Sequence, residues 1–220
     1  MKKYTLEEYI KRISENKLLI SVDSESAADT GIIDNISYNS NNVSDNTLFI
    51  CKGRAFREEY LDAAISKGAV AYISEKNYNK GIPCILVNDV QKALSLVSNI
   101  YYDYPWKKMR LIGITGTKGK STTSYYIKYI LDEYLLDHGK APAGIVSSID
   151  TYDGKTNEES HITTPESLDL QQHFSNALDS NIEYMVTEVS SQALKYSRLY
   201  DVNFDAGVFL NISEDHISPI

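Results

Sequence analysis

The residues from Leu111 to Thr123 have the types and spacing of a phosphate-binding loop. They read Leu-Ile-Gly-Ile-Thr-Gly-Thr-Lys-Gly-Lys-Ser-Thr-Thr, so a glycine-rich turn lies between a strand-like apolar run and a helical pattern. Gly116 and Gly119 let the backbone approach a ligand, and a helix that begins near Ser121 adds unpaired N–H groups. Lys120 supplies charge for the β- and γ-phosphates, and the Ser121 hydroxyl can ligate Mg²⁺. The predicted nucleotide-binding residues of the loop are Gly116, Thr117, Lys118, Gly119, Lys120, Ser121 and Thr122.

The loop differs in one detail from the widespread pattern Gly-x-x-x-x-Gly-Lys-[Ser/Thr]. The first glycine of that pattern would fall on Ile114, whereas this chain has Gly113 and Gly116. The strand before the loop and the helix after it still favour phosphate binding over an incidental turn that contains a lysine.

Two side chains after the loop are candidate metal ligands. Glu188 lies in the apolar run Tyr184–Val189, and α/β sheets place ligand-facing groups at the carboxyl ends of their strands. A carboxylate suits Mg²⁺, which takes oxygen ligands. His216 follows the last apolar run. Residue type alone does not separate these roles from ordinary ones. Glu188 could equally be a strand-end acid without a ligand, and a lone histidine such as His216 usually lies on the surface.

The elements that must position these side chains alternate between strands and helices. After the linker Tyr104–Lys108, where Pro105 breaks the preceding helix, strands are predicted at Leu111–Thr115, Gly144–Ile149, Tyr184–Val189 and Ala206–Ile212. A helix is predicted over Ser121–Leu136, with Ile127, Ile130, Leu131 and Tyr134 on one face. A second helix is predicted to start with Thr164 as N-cap and Pro165 in its first position, and to bury Leu170, Phe174, Ala177 and Leu178.

The first half of the chain shows the same alternation. Thr5 and Glu8 form a capping-box pattern before an amphipathic helix that carries Leu6, Tyr9, Ile10 and Ile13. Strands are predicted at Leu48–Cys51, Ala69–Ile73 and Cys84–Val87, and helices at Tyr60–Lys67 and Gln91–Tyr101. The predicted fold class is therefore α/β, with a small N-terminal α/β domain over 1–104 and an incomplete P-loop-type parallel-sheet domain over 109–220.

Composition narrows the possible partners. The net charge is −8 over 220 residues, which argues against nucleic acid or an anionic membrane as the main partner. Cys51 and Cys84 lie in apolar runs and are expected to be buried free thiols. The N-terminus lacks the pattern of a signal peptide, and no stretch approaches the roughly 18 to 20 apolar residues of a membrane span. A cytoplasmic protein is the default expectation.

The loop and four other segments together resemble the Mur ligases, and most of all their UDP-N-acetylmuramoyl-tripeptide synthetases. Gly113–Thr123 is similar to the Thr-Gly-Thr-x-Gly-Lys-[Ser/Thr] loop of that family. The other segments, in order, are Tyr102-Asp103-Tyr104-Pro105, Thr163-Thr164-Pro165-Glu166, Glu188-Val189-Ser190-Ser191 and Asn211-Ile212-Ser213-Glu214-Asp215-His216. The resemblance covers essentially the whole chain.

The resemblance implies an ATP- and Mg²⁺-dependent ligase that joins an amino acid to UDP-N-acetylmuramoyl-dipeptide through an acyl phosphate. It implies that Lys120, Glu188 and His216 are catalytic, that Ser121, Glu188 and His216 hold Mg²⁺, and that Asn211 lies near the nucleotide. It assigns the uridine portion to Tyr38, Ser40, Arg54, Ala55 and Phe56, and the muramoyl-peptide end to Thr163, Thr164, Ser190 and Arg198. The expected partners are the UDP-sugar peptide and a free amino acid, and the expected complete enzyme is a monomer.

The chain departs from the family pattern at several of these segments. Asn39 and Asn41 replace a charged Asp and Arg pair, Ile162 replaces an Asn, and Gln192 and Tyr196 also differ from the common residues. These departures indicate a shifted substrate preference.

The resemblance also implies parts that lie beyond Ile220. These are a carbamylated lysine at the Mg²⁺ site, the rest of the ATPase sheet and a domain that selects the amino acid, so this chain is expected to be an inactive fragment. Three alternatives remain open: another Mur-type enzyme such as a folylpolyglutamate or cyanophycin ligase, a P-loop ATPase or kinase, and a module that binds ATP without turnover.

Overall fold

A computed structural model describes residues 3–23, 31–53 and 55–214 of the chain. The chain divides into two compact units, Met1–Asp103 and Tyr104–Ile220. Each unit has its own sheet and its own buried apolar cluster, and each is described separately below.

The first unit is built on a five-stranded sheet in the order β2-β7-β6-β5-β4. Its strands are β2 (Leu19–Val22), β4 (Asn35–Ser37), β5 (Thr47–Ile50), β6 (Ala69–Ser74) and β7 (Cys84–Val87). All neighbours are parallel except β2, which pairs antiparallel with β7. The helices are α1 (Leu6–Glu15), α2 (Glu58–Ser66) and α3 (Val90–Tyr101), and a two-stranded ribbon joins β1 (Tyr4–Thr5) to β3 (Ile32–Ile33).

Local sequence signals account for much of this unit. The capping box is confirmed, because the Glu8 amide donates to the Thr5 hydroxyl and the Thr5 amide donates to the Glu8 carboxylate at 2.8 Å. Leu6, Tyr9 and Ile13 are buried on the inner face of α1, as the spacing predicts. Cys51 and Cys84 are both buried free thiols, and burial raises the pKa of each.

The second unit is built on a six-stranded sheet in the order β11-β10-β9-β12-β8-β13. The strands are β8 (Arg110–Thr115), β9 (Gly144–Val146), β10 (Asp150–Tyr152), β11 (Asn157–Glu159), β12 (Tyr184–Glu188) and β13 (Ala206–Phe209). The four strands β9, β12, β8 and β13 are mutually parallel, which confirms the predicted parallel sheet. The antiparallel hairpin of β10 and β11 extends the sheet beyond β9, and the sequence patterns do not predict it.

The described part of this unit contains three α-helices: α4 (Lys120–Asp137), α5 (Ser167–Asp179) and α6 (Ser191–Lys195). The segment predicted as a linker is instead structured, since Pro105–Lys108 forms a 3₁₀ turn and Trp106 is buried in the apolar cluster of the unit. Leu170, Phe174 and Ala177 of α5 are buried in the same cluster, as predicted.

The predicted apolar face of α4 is only partly buried, with Ile127 and Leu131 half-buried. Ile130 and Tyr134 are 70% and 52% exposed, whereas Ser124 and Leu135 are the buried residues of the helix. Apolar residues occur on more than one side of this helix, so their spacing alone does not single out the side that packs on the sheet.

The predicted start of α5 is wrong. The helix begins at Ser167 with Glu166 as its N-cap, and Pro165 lies outside it. The Thr164 hydroxyl caps nothing, because it donates to the main-chain oxygen of Glu188 at 2.8 Å and accepts from the Ser190 amide at 3.0 Å. The local pattern assigns Thr164 to the N-cap, but in the folded chain its hydroxyl bonds to residues distant in sequence.

Candidate functional site

The phosphate-loop sequence forms a tight turn between β8 and α4. Gly119 has a φ of 85° and is the N-cap of α4, a conformation that favours glycine. A Cβ on Gly116 would lie 3.0 Å from the Leu210 Cβ and 3.2 Å from the Asn211 amide nitrogen, so the loop needs glycine there as well. The first turn of α4 has no side-chain cap and no acidic residue, which leaves the positive end of the helix open to an anion.

The Lys120 ammonium lies over this turn. It donates to the main-chain oxygens of Gly116 at 2.8 Å and Thr117 at 3.3 Å. A half-buried ammonium held by loop carbonyls is positioned to exchange those bonds for phosphate oxygens.

The basic residues near the loop do not form one patch. Lys107, Lys108 and Arg110 precede or begin β8, while Lys118 and Lys120 follow its other end. Arg110 forms a salt bridge with Asp205 at 2.6 Å, and the Lys107 ammonium lies 4.0 Å from the Tyr104 ring centroid. Only the cations after β8 therefore belong to the phosphate loop.

Asn211 braces the loop from the segment that follows β13. Its side-chain oxygen accepts from the Lys118 amide at 3.0 Å, and its side-chain nitrogen donates to the Lys118 carbonyl at 3.0 Å. The Thr117 amide also donates to the Asn211 carbonyl at 3.1 Å. The predicted nucleotide residue thus sets the shape of the loop through main-chain contacts.

Glu188 lies at the carboxyl end of β12, opposite Ile114 of β8. Its side chain is fully buried. Two hydrogen bonds reach the carboxylate, one from the Ser148 amide at 3.3 Å and one from the Ser148 hydroxyl at 3.4 Å. The Ser148 hydroxyl also lies 2.9 Å from the hydroxyl of Ser121 in the phosphate loop.

This arrangement fits a hard divalent cation. A buried carboxylate needs a charged partner, and throughout 3–23, 31–53 and 55–214 no Lys, Arg or His forms an ion pair with Glu188. Glu188 and the Ser121 hydroxyl offer the oxygen ligands that Mg²⁺ prefers. No group of three or more His, Cys, Asp or Glu able to hold a metal occurs in those same described ranges. A nucleotide phosphate and water would complete the coordination.

The predicted peptide-end residues converge next to the loop. Ser190 is the N-cap of α6, and its hydroxyl accepts from the Ala193 amide at 3.1 Å. Arg198 is buried and donates to the Thr164 carbonyl at 2.8 Å and to the Glu166 carboxylate at 2.7 Å. Thr164 is also buried. Its hydroxyl bonds to the Glu188 carbonyl at the end of β12 and to the Ser190 amide at the start of α6, and so connects these two elements.

A cavity of about 640 Å³ joins these residues to the phosphate loop. Gly116, Thr117, Lys120 and Asn211 line one part of it, and Thr163, Ser190 and Arg198 line another. Ile162, Leu194, Phe209 and Ile212 add an apolar portion to the lining. The structure thus brings together, in one cavity, residues predicted for two different ligands.

A larger cavity of about 770 Å³ lies near the start of β8. Lys107, Lys108, Arg110 and Asp205 are among its lining residues, and none of the predicted site residues lines it. The smaller cavity is therefore the better candidate for the chemistry.

The first unit holds the residues predicted for the uridine portion. β4 and β5 are parallel neighbours, so Tyr38 and Ser40 after β4 lie at the same sheet edge as the segment that follows β5. The Lys52 ammonium lies 4.5 Å from the Tyr38 ring centroid, which brings the two loops into contact. Phe56 packs against Tyr60 and Tyr78, and Ala55 beside it is exposed.

Asn39 and Asn41 form a local turn in place of the ion pair usual in the family. The Asn39 side chain accepts from the Asn41 amide at 2.9 Å and caps the 3₁₀ turn Ser40–Asn42. Lys67 donates to the Ser40 carbonyl at 2.7 Å. The Asn39 side chain and the Lys67 ammonium therefore hold Ser40 in a defined position.

Two predicted site residues, Arg54 and His216, lie outside the described residues. Sequence reasoning missed Ser148, which it placed inside the strand Gly144–Ile149. The strand ends at Val146, and Ser147 to Asp150 form a turn. Two serines followed closely by an aspartate are typical of a turn, and that signal would have placed Ser148 at the strand end.

Known proteins resemble this chain in sequence. Residues 114–219 match the family model for the Mur ligase middle domain. The chain is 46% identical over 189 residues, 86% of its length, to the UDP-N-acetylmuramoyl-L-alanyl-D-glutamate--L-lysine ligase of Streptococcus pneumoniae serotype 4. It is 47% identical over 185 residues, 84% of its length, to the protein of the same name from Streptococcus agalactiae serotype Ia. The chain spans 38% and 37% of the lengths of these relatives.

Solved structures show the same fold. A UDP-N-acetylmuramoyl-L-alanyl-D-glutamate--2,6-diaminopimelate ligase matches with a TM-score of 0.73 and 20% identity, over 99% of this chain and 42% of that one. A UDP-N-acetylmuramoylalanyl-D-glutamyl-2,6-diaminopimelate--D-alanyl-D-alanyl ligase from Acinetobacter baumannii matches with a TM-score of 0.60 and 18% identity, over 98% of this chain and 43% of that one. At these identities the likeness concerns the fold alone.

Proposed function

The chain belongs to the Mur ligase family, and we propose that it is the UDP-sugar- and ATP-binding part of an ADP-forming ligase. The complete enzyme would add an amino acid to UDP-N-acetylmuramoyl-dipeptide in the synthesis of peptidoglycan precursors. In this proposal, residues 1–104 bind the UDP-sugar and residues 109–220 are part of the ATP-binding domain.

The observation that carries this proposal is the cavity of the second unit. Its lining contains both the phosphate loop and the residues predicted for the peptide end, so a nucleotide phosphate and a peptide carboxylate would meet there. A kinase or simple ATPase would not require Thr163, Ser190 and Arg198 at that place.

The reaction explains why the two ligands must meet. A peptide carboxylate is a poor acyl donor, because its oxygen leaves with difficulty. Transfer of the γ-phosphoryl group to that oxygen forms an acyl phosphate and releases ADP. The amine of the amino acid then attacks the acyl carbon, loses a proton, and displaces phosphate as the amide bond forms. Phosphoryl transfer depends mainly on positioning and charge neutralisation.

The residues of this chain have the chemistry for those tasks. Lys120 would exchange its loop carbonyls for phosphate oxygens, and the N–H groups at the start of α4 would bind the same phosphates. Ser121 and Glu188, with His216, would hold Mg²⁺, which neutralises charge on the phosphates. Thr163, Ser190 and Arg198 would orient the peptide end.

The names of the relatives make L-lysine the first amino acid to test in a longer form of the protein. The proposal includes a cytoplasmic location and a monomeric complete enzyme. It also includes little or no ligase turnover by this chain alone. Of membrane association, the structure shows only that none of the helices in its described portion has the length and apolar character of a membrane span.

Calorimetric titration of the chain with ATP and Mg²⁺ tests the nucleotide part of the proposal. The wild-type chain should bind, and Lys120→Ala should weaken binding by about 10-fold or more, since a hydrogen bond to a charged group contributes about 1.5 to 3 kcal/mol. Lys120→Ala should keep its thermal unfolding midpoint, because within the described residues the Lys120 ammonium bonds only to loop carbonyls.

Lys140→Ala is the matched control. Lys140 is a partly exposed lysine of the same unit that pairs with Glu183 rather than with the loop, so its removal should leave ATP affinity unchanged. Wild-type ATP affinity in Lys120→Ala, or no ATP binding by the wild-type chain, would contradict the proposal.

Titration with UDP-N-acetylmuramoyl-dipeptide separates the ligase from its alternatives. A UDP-sugar ligase should bind this compound through Tyr38 and Ser40, whereas a kinase, an ATPase or a folylpolyglutamate- or cyanophycin-type ligase should not. ATP binding without binding of the UDP-sugar would favour those alternatives.

A further inference from the structure

Ser148 lies at the point where the phosphate loop and the buried carboxylate meet. It follows β9, whose neighbour in the sheet is β12, the strand that ends at Glu188. Its hydroxyl contacts the Ser121 hydroxyl at 2.9 Å and the Glu188 carboxylate at 3.4 Å, and its amide donates to the other carboxylate oxygen at 3.3 Å. Ser148 is therefore in contact with two of the protein groups proposed to hold Mg²⁺, Ser121 and Glu188.

The turn that carries Ser148 is held in one shape by its own hydrogen bonds. The Ser147 hydroxyl accepts from the amides of Ile149 at 3.1 Å and Asp150 at 3.0 Å, and donates to the Asp150 carbonyl at 2.9 Å. The Asp150 carboxylate accepts a short hydrogen bond from the hydroxyl of Tyr125 in α4. The turn is thus fastened to the helix that begins at the phosphate loop.

The side chain of Ser148 is not needed to build that turn. Ser147 and Asp150 supply its internal bonds, whereas the Ser148 hydroxyl bonds outward to Ser121 and Glu188. Ser148 is exposed, and Glu188 is fully buried. The Ser148 hydroxyl therefore contributes to the arrangement of Ser121 and Glu188, and it is not required for the turn itself.

We propose that Ser148 is a positioning residue for the Mg²⁺ site. It holds the Glu188 carboxylate in one orientation and keeps the Ser121 hydroxyl at the spacing at which one cation can take an oxygen from each. This inference rests on the proposed function, since it presupposes that Mg²⁺ enters with the nucleotide. Groups that orient metal ligands typically change metal affinity by about 10- to 100-fold when they are removed.

Mg²⁺-dependent tightening of ATP binding is the measurement that tests this role. ATP affinity of the 220-residue chain is determined in EDTA and over a series of Mg²⁺ concentrations. In Ser148→Ala the Mg²⁺ concentration for half-maximal tightening should rise about tenfold, the lower end of that range, because the amide of residue 148 still reaches Glu188. ATP affinity in EDTA and the thermal unfolding midpoint should stay at wild-type values.

Two further variants distinguish positioning from a general effect on the fold. Ser148→Thr keeps the hydroxyl and should restore the wild-type Mg²⁺ dependence. Ser66→Ala removes an exposed serine hydroxyl of α2, which donates to the Ala63 carbonyl, and should change nothing.

The possible failures are distinguishable. A wild-type chain that shows no ATP binding, with or without Mg²⁺, overturns the proposed function and this inference with it. Wild-type binding that tightens with Mg²⁺ equally well in Ser148→Ala overturns the role of Ser148 alone. That role is also overturned, and the proposed function is not, if Ser148→Ala weakens ATP binding in EDTA as much as in Mg²⁺.

Discussion

Single side chains near the candidate site divide into those that point outward to a ligand and those that hold the protein together. Thr164 and Arg198 bind main-chain and carboxylate groups of the chain itself, although the family resemblance assigns them to the substrate. The Lys120 ammonium bonds to uncharged loop carbonyls, and the Glu188 carboxylate accepts two long hydrogen bonds from Ser148. A charged ligand would therefore bind these two side chains more strongly than their present partners do. We therefore expect substitution of Thr164 or Arg198 to affect stability as well as binding.

Asp153 shows how a buried side chain stabilises the hairpin of β10 and β11. Its carboxylate is fully buried and accepts from four donors: the amides of Lys155 and Thr156, the His173 ring and the Asn176 side chain. Burial alone raises the pKa of Asp153, but the hydrogen bonds outweigh it and hold this pKa below its ordinary value. The ionised carboxylate thus ties the hairpin turn to α5.

We predict that Asp153→Asn lowers the free energy of unfolding at pH 7 by about 1 to 3 kcal/mol. An amide has one NH₂ group, which would face two donors whichever way it pointed. A lowered pKa in the folded state stabilises at pH above the unfolded-state pKa, and this stabilisation disappears as the pH falls through the folded-state pKa. Urea unfolding should therefore show the difference between variant and wild type shrinking as the pH falls below about 4.

Asp137→Asn is the comparison for that measurement. Asp137 is exposed at the end of α4, so its substitution should change stability by no more than about 0.5 kcal/mol at any pH. A pH-independent difference between Asp153→Asn and the wild type would contradict the role given to the carboxylate.

At the scale of elements, the sequence predicts where α4 starts and ends, but it does not predict which side of the helix is buried. Its start follows from the glycines and its length from the absence of helix-breaking residues over Lys120–Asp137. The side that packs on the sheet does not follow, because tyrosine, isoleucine and leucine occur all round it. Tyr126, Tyr129 and Ile130 consequently remain exposed.

Two alanine substitutions in α4 test this assignment of faces. Leu135→Ala should lower the free energy of unfolding by about 2 to 5 kcal/mol, since the side chain is fully buried. Ile130→Ala should change it by no more than about 0.5 kcal/mol, since that side chain is 70% exposed. Chemical denaturation of both variants measures the contrast, and equal losses would show that the two faces are wrongly assigned.

At the scale of the whole molecule, the chain contains two units with separate sheets and separate cores. Phe49 and Tyr72 are buried in the cluster of the first unit, and Phe174 and Met185 in that of the second. Units with their own cores are expected to fold separately.

We predict that a fragment of residues 1–103 folds on its own. It should show a cooperative urea transition and a dispersed amide NMR spectrum, because it contains its complete five-stranded sheet and α1 to α3. A fragment of residues 1–87 should fail, since it lacks α3, of which nine residues are buried. A non-cooperative 1–103 fragment would contradict the independence of the unit.

Much of this protein was predictable from local signals. The capping box at Thr5, the strand–loop–helix order around Lys120 and the parallel β/α alternation all depend on residues close together in sequence, and the structure contains each of them. The family resemblance added candidate substrate residues, and the structure places Thr163, Ser190 and Arg198 in the cavity of the phosphate loop. Their roles remain predictions.

Only the tertiary structure decided the features that depend on distant segments. The observed start of α5 is later than the predicted one because Thr164 bonds to Glu188 and Ser190. The side of α4 that is buried depends on how the helix packs against the sheet. Ser148 gained its place because β9 lies beside β12, which brings its turn to the end of the strand that carries Glu188. Residue types and spacing determine which chemistry is possible, whereas the pairing of strands far apart in sequence determines which side chains meet.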